Sequence, residues 1–96
     1  MKQFKRRPGV VLEEVCGAWF LIATRKAREG CAYVTQVNSA AAAYWRLAEG
    51  AHSVPELAEA AAALWGKETK ETLLPSLIFV RKMREQGYLL EEESTL

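Results

Sequence analysis

The order of hydrophobic patterns predicts an α+β domain, with three short strands followed by three helices. Three observations carry this. Residues 10–37 hold three apolar runs separated by turn signals. From Asn38 onward the apolar spacing changes to that of helices. Each helical stretch is bounded by residues that start or stop helices.

The first strand is "VVLEEV" (Val10–Val15) and the second is "AWFLIA" (Ala18–Ala23). Cys16-Gly17 between them has the length of a two-residue hairpin turn, and Gly17 supplies the positive φ such turns require. The connection "TRKAREG" reads as a solvated loop, and the third strand follows as "CAYVTQV". The result is an antiparallel meander. Val10, Leu12, Trp19 and Leu21 share one face; Val11, Val15, Phe20 and Ile22 share the other. So small a sheet cannot bury both faces by itself, so the helices are expected to cover it.

The first helix starts at Asn38-Ser39, both good N-caps, and Gly50 is expected to stop it. Ala41, Tyr44, Trp45, Leu47 and Ala48 mark its buried side. The second starts at Ser53, with Pro55 in its first turn and Glu56 at capping-box spacing. It runs through Leu57, Ala61 and Leu64 to Trp65 and ends at Gly66. The alanine runs in these two helices favour helix and permit close packing. The third helix starts near Thr69–Thr72, is expected to hold Pro75 in its first turn, and ends at Gly87. "YLLEEE" can then return as a short extended segment. A short second helix, a turn and a longer third helix is the arrangement of a helix-turn-helix.

Ninety-six residues make one domain, and the net charge of +1 gives no global pull toward nucleic acid or membrane. Lys2, Lys5, Arg6 and Arg7 at the start and Glu91, Glu92 and Glu93 at the end read as solvated, frayed termini. No apolar run is long enough to span a bilayer and no signal-like leader opens the chain, which points to the cytoplasm. Cys16 and Cys31 then read as reduced thiols. With His52 as the one histidine, they are too few for a structural zinc site.

Nothing in the sequence marks catalysis. It holds no phosphate-cradling glycine loop and no nucleophile–histidine signature. The expectation is a binding protein, not an enzyme, without cofactor or metal. Two surfaces compete. The third helix carries Arg81, Lys82, Arg84 and Gln86, which would suit a DNA groove, but the acidic tail and Glu56 and Glu59 weaken the basic footprint. On a helical wheel, Leu73, Leu77 and Val80 make a central stripe, with Phe79 and Met83 on one flank. Leu74 and Ile78 lie on the other flank, and Arg81 falls between it and the stripe. An arc that wide fits a helix buried on two sides, or one whose second flank lines a groove beside the third strand. Such a groove would accept an extended peptide as an added strand.

The run "YVTQVNSAAAAYWRLAEGAHSVPELAEAAAALWG", followed by "LIFVRKMREQGYL", resembles the PqqD-like family, relatives of pyrroloquinoline quinone biosynthesis protein D, also called RiPP recognition elements. The likeness covers residues 9–90. It lies in the aromatic strand ending at Asn38, in Trp45, Leu47 and Gly50, in "SVPELA", in "REQGYL" and in the opening hairpin. The connection "ATRKAREGCA" is longer and more basic than the family pattern, which leaves the start of the third strand open. The resemblance implies a winged helix-turn-helix that does no chemistry. It implies binding of the leader segment of a ribosomally made precursor peptide, antiparallel to the third strand and in a cleft with the third helix. The protein would then act as a peptide chaperone in natural product biosynthesis, presenting the precursor to a modifying enzyme of radical SAM type or to a leader peptidase. The peptide-binding residues expected are Ala32, Tyr33, Val34, Thr35, Gln36 and Val37, together with Leu74, Ile78 and Arg81. The other reading is a winged-helix DNA-binding regulator. An open strand edge also invites self-pairing, so a homodimer is a further expectation.

Overall fold

The computed structural model describes residues 2–49 and 52–93. The element order is β1 (Lys2–Arg6), β2 (Val10–Val15), β3 (Ala18–Ala23), β4 (Val34–Val37), α1 (Ser39–Leu47), α2 (Val54–Trp65), α3 (Thr69–Glu85) and β5 (Leu89–Glu93). This is a small α+β domain with the expected three-stranded antiparallel sheet, in the order β2-β3-β4, and three helices.

The β2–β3 hairpin forms as its turn dictates. Cys16 (φ 51°) and Gly17 (φ 82°) both adopt positive φ, the geometry whose twist matches that of the flanking strands. Leu12 pairs with Leu21, and Leu21 with Thr35. On the helix side this places Leu21 in the core, with Val10 and Leu12 packed against it. The other face is not covered as expected: Val11, Val15 and Val34 stay exposed.

Several expectations need correction. The charged termini do not fray. Lys2–Arg6 and Leu89–Glu93 form a second, antiparallel two-stranded ribbon, in which Lys5 meets Glu92 at 2.8 Å and Lys2 meets Glu91 at 3.9 Å. Phe4 at the ribbon centre is a core residue and exchanges both backbone hydrogen bonds with His52. Arg7 is also held, donating its Nε–H to the Gly87 carbonyl at 2.5 Å.

The loop between β3 and β4 is anchored as well. Ala27 is buried, and both the N–H and the hydroxyl of Thr24 donate to the Gly9 carbonyl. That loop extends through Tyr33, so the third meander strand is shorter than the expected one and begins at Val34.

The helix starts follow their caps. Asn38 accepts from the Ala41 N–H at 2.7 Å. Ser53 and Glu56 close a capping box, and Gly66 ends α2 in the left-handed region. The expected stop of α1 at Gly50 lies outside the described residues. Pro75 is well inside α3, not in its first turn. It leaves the Glu71 carbonyl without its intrahelical donor.

The buried face of α3 is also rotated from the expected stripe. Thr72, Ser76, Phe79, Val80 and Met83 face the core, while Leu73 and Leu77 are exposed. Two hydroxyls make this rotation affordable. Thr72 donates to the Ala58 carbonyl at 2.6 Å, and Ser76 donates to the Tyr44 hydroxyl at 3.2 Å. Both bonds satisfy polar groups that would otherwise cost about 1–3 kcal/mol to bury. The buried side of α2 carries the small residues Ala58, Ala61 and Ala62, which permit close packing. Leu64 of α2 is exposed. Tyr44 sits at the junction of the three helices, with its ring stacked on Phe79 and edge-on to Trp65.

Candidate functional site

Among the described residues the strand β4 has one partner, β3, and therefore one open edge. The pairing fixes which backbone groups face that edge. The Ala23 N–H donates to the Tyr33 carbonyl at 2.8 Å, which makes 23 and 33 a hydrogen-bonded pair. By the alternation of antiparallel ladders, Thr35 and Val37 likewise turn their N–H and C=O groups to Leu21 and Trp19. Val34 and Gln36 turn theirs outward. No Lys, Arg, Asp, Glu or Pro occurs in β4 to guard this edge.

The open edge borders a groove of about 590 Å³ between β4, the start of α1 and the outer flank of α3. Val37, Ala41, Tyr44 and Phe79 give it an apolar floor, with Ile78 and Lys82 on the α3 side. Its length is set by α3, whose side chains at 75, 78, 82 and 85 are one helical face.

A buried tyrosine fixes the entry to the strand. The Tyr88 side chain is fully buried, and its hydroxyl donates to the Ala32 carbonyl at 2.9 Å while lying 2.7 Å from Thr35 Oγ1. Burial raises its pKa above the usual value of 10.0; the Thr35 hydrogen bond opposes this, and Cys31 adds to it. The Ala32 N–H donates to the Gln86 carbonyl at 3.4 Å. Ala32 is thus tied to the end of α3 on both its polar groups. Gly87 allows this approach. It has φ 85°, and a Cβ there would strike the Gly30 carbonyl and Cys31.

The residues expected to bind peptide divide into three groups. Thr35, Gln36, Val37 and Ile78 line the groove. Tyr33, Val34 and Leu74 are exposed beside it: Tyr33 lies under the Arg28 guanidinium, 5.2 Å away, and Leu74 is one turn before Ile78. Ala32 is held by Tyr88 and Gln86, and its polar groups are not at the open edge. Arg81 is not in the groove. It lines a separate cleft with Lys2, Phe4 and Leu77. Lys82 is the cation beside the strand, and Pro75, Ala40 and Ala41 line the groove without having been expected there. The helical wheel could have found Lys82 and Pro75, which share a face with Ile78, had the wheel been centred on Thr72 and Ser76.

No family model, curated protein or solved structure matches the chain. The functional reading therefore rests on the geometry. Of the cations on α3, Arg84 is engaged by Glu91 at 2.8 Å, and Glu85 borders Lys82 in the groove. Among the described residues, no group of His, Cys, Asp and Glu side chains is placed to hold a metal ion. No described helix is long and apolar enough to cross a membrane.

Proposed function

We propose that the chain binds an extended peptide by adding it as a fourth strand to β4, in the manner of a leader-recognition domain of winged helix-turn-helix type. The β1–β5 ribbon would be the wing of that arrangement. The observation that carries the reading is the uncharged open edge of β4 beside an apolar groove. The backbone groups of Val34 and Gln36 would pair with the peptide, and the groove would take alternate peptide side chains. Backbone pairing supplies affinity that depends little on peptide sequence. The peptide orders only on binding, so affinity is moderate. Holding a leader raises the effective concentration of its attached core at a modifying enzyme, and the recognition domain itself supplies no chemistry.

The test is a titration with the leader of a short precursor peptide encoded next to this chain's gene, followed by backbone amide shifts. The expected result is saturable shifts in Val34–Val37 and in α3 around Ile78 and Lys82, and their loss in Val34→Pro. Absence of shifts at high micromolar leader overturns the reading. Salt-dependent binding to duplex DNA, lost in Arg81→Ala/Arg84→Ala, would favour a DNA-binding regulator in its place.

A further inference from the structure

A second cleft, of about 730 Å³, opens where the β1–β2 connection meets β3 and the end of α1. Its charge is one-sided. Lys5, Arg6, Arg7 and Arg46 line it, and no acidic residue does. Two of these cations are held in the same way. The Arg6 guanidinium lies over the Trp45 ring, 5.4 Å from its centroid, and the Arg46 guanidinium lies 4.6 Å over the Trp19 ring. Lys5 is already paired with Glu92, and Arg7 donates to Gly87. Arg6 and Arg46 are different. Among the described residues, neither has a carboxylate oxygen within 4.0 Å.

A guanidinium stacked on an aromatic face keeps its N–H edges free for a planar, two-oxygen acceptor. Stacking also limits the side chain's freedom, so less entropy is lost when an anion is bound. Two such groups on one acid-free wall, in a chain whose net charge is only +1, concentrate positive potential locally.

The choice between anions follows from the tryptophans. Trp45 is only 2% exposed, and the Trp19 face is covered by Arg46. Trp45 thus offers no open face, and Arg46 takes the place over Trp19 where a nucleobase would stack in a single-stranded nucleic acid site. We propose that this cleft is a docking site for an Asp/Glu-rich peptide segment of a partner protein, with Arg6 and Arg46 as its carboxylate receptors. The cleft shares no lining residue with the β4 groove, although Trp19 of the one and Val37 of the other are cross-strand partners. This inference does not depend on what the β4 edge binds.

The test uses acetylated hexaglutamate amide as probe on the whole chain. Indole N–H signals of the three tryptophans report location, because Trp65 lies outside the cleft. The expected result is saturable shifts of Trp19 and Trp45, an unmoved Trp65, and unmoved amides at Val34 and Gln36. Affinity should fall about tenfold in Arg46→Gln and in Arg6→Gln, and fall as salt is raised. Arg46→Gln changes an exposed side chain, so its amide spectrum should keep the native dispersion. Three results overturn the proposal: no indole shift up to about 1 mM probe, well past useful peptide affinities; shifts that survive both substitutions; or an oligothymidylate of equal charge that moves Trp19 and Trp45 at lower concentration than the peptide.

Discussion

The terminal ribbon and the edge of β4 solve the same problem in opposite ways. Both are short strands whose outer backbone groups lack a ladder partner within their own sheet. In the ribbon, β1 carries Lys2, Lys5 and Arg6 and β5 carries three glutamates, so both strands are charged. The outer side of β1 is also closed at Phe4 by its backbone bonds to His52. On the far side of the meander, β2 carries Glu13 and Glu14. Charge on an edge strand blocks pairing with another chain, because a second strand would have to desolvate it. Of these strands, β4 alone has no charge, and it lies beside an apolar groove. Protection is present wherever pairing is to be avoided and missing where the groove could accept a strand.

This contrast can be broken most sharply with proline. Thr35→Pro removes an N–H that bonds to Leu21, and should cost about 3 kcal/mol in urea unfolding. Val34→Pro removes an N–H that points to solvent, and should cost less than about 1 kcal/mol. Equal costs would mean that the register of β4 is wrong. Next in size is Tyr88→Phe. It leaves the Ala32 carbonyl and Thr35 hydroxyl without a shared partner and should cost about 1–2 kcal/mol. It should also change the response to alkali. In the unfolded chain the phenol loses its proton near pH 10, whereas in the fold burial keeps the proton on to higher pH. The stability tied to this group is therefore complete below pH 10 and is lost as pH rises through the folded value. Wild type should lose more stability than Tyr88→Phe between neutral pH and this alkaline range; parallel profiles would exclude Tyr88 as the cause. The smallest effect belongs to the ribbon. Lys5 and Glu92 are both about half exposed, and Glu92→Gln should cost only a few tenths of a kcal/mol, less at high salt.

What could be read from the sequence follows the range of the forces involved. The Cys16-Gly17 turn, the Ser53–Glu56 capping box and the Gly66 stop depend on residues within four positions of each other, and each formed as read. The ribbon depends on pairing Lys5 with Leu90, across nearly the whole chain, and no local pattern announces that. The face of α3 was misread for another reason. Hydropathy assigns Thr72 and Ser76 to the surface, but each has a hydrogen-bond partner inside, and Leu73 and Leu77 are displaced outward. Arg81 was placed at the groove by the same rotation error, and Lys82 was left out. The strand edge itself was legible, because the absence of charge and proline in residues 34–37 is a property of the sequence alone.

Amide hydrogen exchange of β4, free and saturated with the neighbouring precursor's leader, tests the central claim most directly. Val34 and Gln36 should exchange fast in the free chain and become protected on binding, while Thr35 and Val37 stay protected throughout. Protection of Val34 and Gln36 in the free monomer, or their continued fast exchange at saturation, would contradict the account.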